Sequence, residues 1–262
     1  MDETTHKARV QAQFGAAAEA YVTSATHRGG DDLAQLVAWA EGGPDKRALD
    51  IATGAGHTAL ALAPLYAEVV ASDLTELMLA TAEKFIRSRG VTNVRFERAD
   101  AEALPFADAS FDTVACRIAP HHFAQVDRFV AEVARVLKPG GVFLLEDSVV
   151  PEDPPLGEFL NRAEKLRDST HVRSLTVADW RGRLAAAGLV VEAVDIFRKT
   201  HAFATWLDRA KTPAAACDAV IDTFRTASPA ARAAFEIVVT PDGTIESYSD
   251  DKALLKARKV RE

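Results

Sequence analysis

The chain reads as an α/β protein built on a doubly wound, mostly parallel sheet. Two observations predict this. Five short apolar runs recur up to about residue 146 with helix-patterned stretches between them, the alternation that places helices on both faces of a parallel sheet. The first run, Ala48-Leu49-Asp50-Ile51-Ala52, is broken by Thr53-Gly54-Ala55-Gly56 and followed by small helix formers and a second apolar run, which makes a strand–turn–helix–strand unit. A third observation bounds the class: past Pro151, Pro154 and Pro155 the strict alternation stops and helical patterning prevails. The expected organisation is an N-terminal helical lid over residues 1–45, a core over 46–150, and a remainder over 151–262 that completes the sheet and carries helical insertions.

In order, Val10, Phe14, Ala17 and Tyr21 recur at spacings of four, three and four, so residues 6–22 should form an amphipathic helix. Residues 23–30 are a polar loop. Asp31 or Asp32 could cap a second helix with Leu33, Leu36, Val37 and Ala40 inward, ended by Gly42-Gly43-Pro44. These helices either cover the cleft or pad the sheet's flank. After the first strand and its helix, Val69-Val70-Ala71 leads to Ser72-Asp73, and residues 75–89 form a helix closed by Gly90. Strands follow over 91–98 and over 111–116, the latter ending near Arg117. Asp127 then caps a helix bearing Phe129, Val130, Val133, Val136 and Leu137, Lys138-Pro139-Gly140-Gly141 stops it, and 142–146 is the fifth strand. Beyond it, 156–166 is helical, Thr176 and Asp179 form a capping box, Gly188 ends that helix, and 190–203 holds a sixth strand. Residues 205–235 are alanine-rich and helical with breaks at Pro213 and Pro229, and 236–248 turns back on itself at Pro241-Asp242-Gly243.

Composition narrows the function classes. With 262 residues the chain can bury a sizeable core, and its net charge of −7 opposes binding to a nucleic-acid backbone. The small basic clusters, Arg181 with Arg183 and Lys256, Arg258, Lys259 with Arg261, read as solvated faces. No apolar run approaches the roughly 18 residues of a membrane span, and Met1-Asp2-Glu3-Thr4-Thr5 does not resemble a signal peptide. Cys116 and Cys217 form neither a disulfide framework nor a zinc pattern. A cytoplasmic protein with no membrane span and no nucleic-acid partner is expected, and a homodimer stays open.

The glycine turn carries the first chemical signal. Gly54 and Gly56 let the backbone turn tightly and approach a ligand. Asp73 lies seventeen positions after Gly56 at the tip of the second strand, where an acid can accept hydrogen bonds from both ribose hydroxyls. Ala59 takes the place of a third glycine, which a dinucleotide fingerprint tolerates. Asp50, four residues before Gly54, would repel a pyrophosphate but suits an ammonium group. The turn alone leaves open a nicotinamide enzyme, a protein that binds S-adenosylmethionine, and a tight turn with no ligand.

Further motifs weigh on that choice. Leu49 to Gly56, Asp73, Asp100-Ala101, Leu104-Pro105-Phe106 with Ser110-Phe111-Asp112, and Leu137-Lys138-Pro139-Gly140-Gly141 together resemble the class I S-adenosylmethionine-dependent methyltransferases, in particular the ubiquinone/menaquinone-type group. The likeness covers roughly residues 6–190. Arg117-Ile118-Ala119-Pro120-His121-His122-Phe123 looks like a bacterial subgroup known only as methyltransferases. One departure is Ala52, where that motif more often has glycine. The resemblance implies a mostly parallel seven-stranded Rossmann-like sheet and S-adenosyl-L-methionine as cofactor. It also implies a binding set of Asp50, Ala52, Thr53, Gly54, Gly56, Asp73, Leu74, Asp100, Ala101 and Arg117, with Tyr21 and Phe14 from the first helix.

In this reading Asp100 accepts the adenine amino hydrogen, a bond worth about 1.5–3 kcal/mol, the Ala101 amide donates to the ring, and Leu74 covers its face. Asp100 could instead cap a turn. Phe14 or Tyr21 could offer a ring face to the sulfonium, worth about 0.5–2 kcal/mol, or simply pack. His121 and His122 follow the fourth strand and are candidate general bases, His122 foremost. The alternative for His122 is packing over the cofactor or capping. His27 and His171 are weaker candidates. Glu146-Asp147 is an isolated acidic pair, so no metal is expected, and Cys116 lacks an activating base. The alanine-rich helices suggest an apolar roof and hence a small aromatic or lipid-like acceptor, methylated on carbon or oxygen. Two alternatives remain: a nicotinamide oxidoreductase, and a non-catalytic S-adenosylmethionine-binding regulator, whose mark would be a cleft plugged by residues 205–235.

Overall fold

The computed structural model describes residues 3–23, 29–210 and 212–261; His27 and the side chain of Tyr21 lie outside what is described. In chain order the elements are α1 (Glu3–Thr23), α2 (Asp31–Trp39), β1 (Gly43–Ile51), α3 (His57–Leu62), β2 (Tyr66–Asp73), α4 (Glu76–Ser88), β3 (Val94–Arg98), β4 (Phe111–Arg117), α5 (Val126–Val136), β5 (Leu137–Val149), α6 (Pro154–Arg167), α7 (Val177–Ala186), β6 (Leu189–Ala202), α8 (Phe203–Arg209), α9 (Ala214–Arg225), α10 (Pro229–Ala234), β7 (Val238–Val239) and β8 (Ile245–Lys259). Among the described residues these strands make one eight-stranded sheet rather than the expected seven, ordered β3-β2-β1-β4-β5-β8-β6, the additional strand being the two-residue β7 paired to β8. The first five strands are parallel, and β8 runs antiparallel to both β5 and β6.

Side chains along a strand alternate faces, and the core divides accordingly. Leu49, Ile51, Val114 and Phe143 pack with Phe129 of α5 and Trp180 of α7 on one face. Ala48, Val69, Ala71 and Leu144 pack with Leu36 of α2, Leu62 of α3 and Ile86 of α4 on the other. Strands buried on both sides must be apolar throughout, which is why the runs were legible. Truncating fully buried Phe129 to Ala should cost about 3–5 kcal/mol. A third cluster, from α6 and α8–α10 with Tyr248 of β8, stands beside the sheet.

The order reverses between β1 and β4, whose connections leave in opposite directions along the sheet. Their C-terminal ends therefore open a crevice, the usual ligand position in such sheets. The capping box of Thr176 and Asp179 is present, and Gly90 and Gly188 take φ of 76° and 75° after their helices.

Three local expectations are corrected. The tail carrying Lys256, Arg258 and Lys259 is an interior strand of the sheet, with Leu254, Leu255 and Ala257 fully buried. Its basic side chains are paired rather than solvated: Lys256 and Arg258 bond Glu41, and Lys259 Nζ donates to the Leu137 carbonyl. Asp32 does not cap α2, whose N-cap is Gly30 without a side-chain bond; it turns inward and is fully buried. Asp127 lies inside α5, after the N-cap Gln125, and pairs with Arg183.

Candidate active site

β1 ends in a strained turn. Ala52 has φ 53°, a left-handed conformation that costs an alanine about 1–2 kcal/mol. Gly54 (φ 55°) walls the crevice, and a Cβ built there would meet no atom within 4 Å. Gly56 (φ 87°) faces away: its Cβ would stand 2.8 Å from Ile86 Cδ1 and 3.1 Å from Ala82 Cβ. Gly54 thus leaves ligand space open, whereas Gly56 permits close packing of α4 and is not part of the cleft wall.

Asp50 also departs from expectation. It is 1% exposed and does not wall the cleft. The Thr53 hydroxyl donates to its Oδ2 at 2.6 Å, and burial lifts its carboxyl to about 7. In this position it fixes the turn through Thr53.

Asp73, 9% exposed, does face the cleft. Its Oδ2 accepts the Gly54 N–H at 3.0 Å and its Oδ1 the Thr75 N–H at 2.8 Å. Both oxygens are held in place while each keeps a lone pair for a ligand hydroxyl. Burial raises its pKa. Leu74 and Met78 wall the next stretch, and Asp100 and Ala101 the far end. Asp100 Oδ1 accepts the Glu102 N–H at 3.0 Å, and its Oδ2 accepts from Lys7 Nζ at 2.7 Å. Lys7 also pairs with Glu102 at 2.6 Å. This contact was missed, although Lys7, Val10 and Phe14 share the three-and-four spacing that turns one face of α1 to the cleft.

At the end of β4, Arg117 walls the cleft, but its guanidinium is engaged elsewhere. Nη2 pairs with Asp32 and Nε with Glu146, each at 2.6 Å, and all three residues are buried. These two pairs make a clamp joining α2 to β4 and β5. Burial raises Glu146, while a hydrogen bond with Glu146 and the charge of Arg117 outweigh burial and lower Asp32. Ile118, next in the chain, has φ 54°, a genuine outlier for a β-branched residue, and its strained backbone lies on the cleft wall.

A second cavity adjoins the first. They enclose about 720 and 1060 Å3, counting the solvent at their mouths, and share Phe14, Ile118 and His122. The Phe14 ring stands edge-on to His122 with centroids 4.9 Å apart. His121 Nδ1 donates to Asp147 Oδ1 at 2.6 Å; burial alone would lower its pKa, but the Asp147 charge prevails and raises it. His122 and His171 are both pushed down to about 3 by burial and by nearby His121.

The second cavity is not apolar. Glu164, Arg167, Asp168, Asp250 and Lys252 line it, with Arg167 paired to Glu164 at 2.7 Å and Lys252 to Asp250 at 2.9 Å. Among the described residues of 205–235, only Trp206 and Arg209 reach it, and none walls the first cavity. The other apolar side chains of α8–α10 pack among themselves and α6, so Trp206 is what these helices bring to the second cavity in apolar surface. Among the described residues no group of three or more His, Cys, Asp or Glu is placed to hold a metal ion.

Residues 49–145 match the model of the methyltransferase domain. The uncharacterized methyltransferase YcgJ of Bacillus subtilis is 39% identical over 246 residues, 94% of this chain and 97% of that protein. Its crystal structure superposes with a TM-score of 0.86, covering 88% of this chain and 99% of that one. Demethylmenaquinone methyltransferase of Thermus thermophilus is 44% identical over 117 residues, 44% of this chain and 51% of that protein. Phosphoethanolamine N-methyltransferase 2 of Haemonchus contortus, solved with S-adenosyl-L-methionine, shares the fold at a TM-score of 0.62 and 20% identity, over 100% of this chain and 60% of that one. The chain belongs to the class I S-adenosylmethionine-dependent methyltransferases.

Proposed function

We propose that the first cavity binds S-adenosylmethionine and that the protein moves its methyl group to a small polar acceptor seated in the second. The observation that carries this is the meeting of the two cavities at Phe14, Ile118 and His122, which lets two ligands touch inside one protein. Asp73 would hold the ribose hydroxyls, Ala101 and Asp100 the adenine edge, and Leu74 and Met78 its faces. Gly54 lets the ligand pass close to the backbone. The bound cofactor supplies an activated methyl on a sulfonium centre. The chain's own contribution is to align the acceptor and exclude water, worth about 7–11 kcal/mol in a well-oriented site. Phe14 at the junction offers a ring to the cationic centre. Helices α1 and α2 serve as a lid, tied down by the Lys7–Asp100 and Asp32–Arg117 pairs.

The charged lining of the second cavity replaces the aromatic or lipid-like acceptor by a polar one. An apolar guest would strip water from Arg167, Lys252 and three carboxylates, a loss that only the Arg167–Glu164 and Lys252–Asp250 pairs offset. The nicotinamide alternative has no support left once the family is known. The regulator alternative loses its mark, because the helices of residues 205–235 leave the first cavity open.

The test is calorimetric titration of wild type and Asp73→Ala with S-adenosylhomocysteine, with NAD as control. Micromolar binding that weakens at least about tenfold in the variant, 1.4 kcal/mol, supports the reading, and binding of NAD alone would overturn it. Release of S-adenosylhomocysteine should then be seen with small hydroxy acids, amines or phenols bearing charge. Turnover confined to hydrocarbon-rich acceptors would refute the polar assignment.

A further inference from the structure

We propose that Asp168 and Thr170 set the tautomer of His122, so that its Nε2 faces the junction of the two cavities as the acceptor of the nucleophile's proton. The proposal rests on the methyltransferase reading for its use, but not for its geometry.

The argument starts at the end of α6. Asp168 is 8% exposed, and its Oδ1 accepts both the Thr170 N–H at 2.8 Å and the Thr170 hydroxyl at 2.6 Å. Burial opposes the charged form of Asp168, while the two Thr170 hydrogen bonds, both ending on Oδ1, favour it and require that oxygen to accept. An ionised carboxylate only accepts hydrogen bonds. The hydroxyl hydrogen therefore points at Asp168, and what Thr170 Oγ1 presents to His122 Nδ1, 3.2 Å away, is a lone pair. Nδ1 must then carry the imidazole hydrogen, which leaves the lone pair on Nε2. Nε2 makes no hydrogen bond among the described residues. The ring walls both cavities, held between Phe14 and His121 with centroids at 4.9 and 4.2 Å, while the His6 ring donates to the His122 carbonyl at 2.8 Å. A base, its orienting group and a vacant acceptor aimed into a cleft form the arrangement in which a third residue orients the base.

The proton balance is simple. As the lone pair of an acceptor O–H or N–H becomes the bond to methyl, the carbon–sulfur pair leaves with sulfur. The acceptor atom turns strongly acidic, and its proton passes to Nε2 before going to solvent. A weakly basic ring can take a proton released that late in the transfer. The resulting imidazolium faces the Asp168 charge through Thr170. His122 is the catalytic residue here, and Thr170 and Asp168 are positioning residues.

The experiment is nitrogen NMR of protein labelled with 15N-histidine at pH 7, free of ligands, with His122→Gln to assign the signal. Wild type should show His122 as the Nδ1–H tautomer. Thr170→Val, which keeps the shape and removes the hydroxyl, should lose that preference, and Thr170→Ser should restore it. An Nε2–H signal in wild type, or a tautomer unmoved in a folded Thr170→Val, would overturn the proposal. If Thr170→Val does not fold, Asp168→Ala is read instead: with its acceptor gone the Thr170 hydroxyl is free to donate to Nδ1, and the preference for Nδ1–H should be lost. Calorimetry with S-adenosylhomocysteine on the same samples separates the two readings: the tautomer is measured even if the nucleoside fails to bind.

Discussion

Two glycines two residues apart should fail in opposite ways when each is replaced by alanine. Both sit at positive φ, 55° for Gly54 and 87° for Gly56, so each substitution incurs about 1–2 kcal/mol of backbone strain. For Gly54→Ala that is the whole stability cost, since the new Cβ meets nothing within 4 Å. For Gly56→Ala the Cβ arrives 2.8 Å from Ile86 Cδ1 and 3.1 Å from Ala82 Cβ, and overpacking adds about 1–3 kcal/mol. The total of about 2–5 kcal/mol should lower Tm by about 4–20 °C, at about 2–4 °C per kcal/mol for a chain of this size. Ligand affinity should move the other way. Gly54→Ala places a methyl on the cleft wall and should weaken S-adenosylhomocysteine at least about tenfold, 1.4 kcal/mol, while folded Gly56→Ala should bind within about threefold of wild type, under 1 kcal/mol. Thermal unfolding and calorimetry on the two variants measure both axes. Loss of affinity in Gly56→Ala at unchanged Tm would refute the division of labour, as would unaltered binding in Gly54→Ala.

Other sites give sharp expectations. Arg117→Met leaves Glu146 buried without a cation and Asp32 with Lys199 alone and should cost about 3–5 kcal/mol in urea unfolding. Leu255→Ala in β8 should cost about 2–5 kcal/mol, whereas Val260→Ala, at 46% exposed one residue beyond the strand, should cost about 0.5 kcal/mol or less. His122 and His171 are held near 3 in the folded state against 6.5 in the unfolded chain. With folded values depressed, their stabilising contribution is complete above pH 6.5 and is lost as pH falls toward 3, at up to about 1.4 kcal/mol per pH unit for each. His122→Gln and His171→Gln should each flatten the fall in urea stability between pH 6.5 and 5 relative to wild type, and an unchanged slope in both would refute the burial argument.

How far the sequence could be read depended on how local each signal was. The five parallel strands were legible because burial on both faces leaves no polar interruption in runs such as Val69-Val70-Ala71. The cleft residues that follow strand ends, Asp73, Asp100-Ala101 and His121-His122, were legible because topology alone carries such positions to the crevice. What misled was charge without partners. Lys256, Arg258 and Lys259 looked solvated because Glu41 and Glu192 are far away in the chain, yet the alternation Leu255-Lys256-Ala257-Arg258 already has the period of a strand with one apolar face. Arg117 invited a ligand for the same reason: Asp32 lies 85 residues before it and Glu146 29 residues after.

The residues that orient His122 carried no signal at all. Asp168-Ser169-Thr170 is an unremarkable polar turn, and its meaning appears only when β5 and α6 bring it back against the loop after β4. There the Val172 and Arg173 amides bond the His121 carbonyl at 2.8 and 3.2 Å. That backbone clasp explains why so short a segment can set the state of a distant ring. The 168–173 loop is pinned to residue 121 by main-chain bonds that side-chain substitution leaves in place, so the Thr170 hydroxyl is delivered to His122 with little freedom of its own. Exchanging the hydroxyl for a methyl should then alter the proton position on His122 and leave the loop where it is.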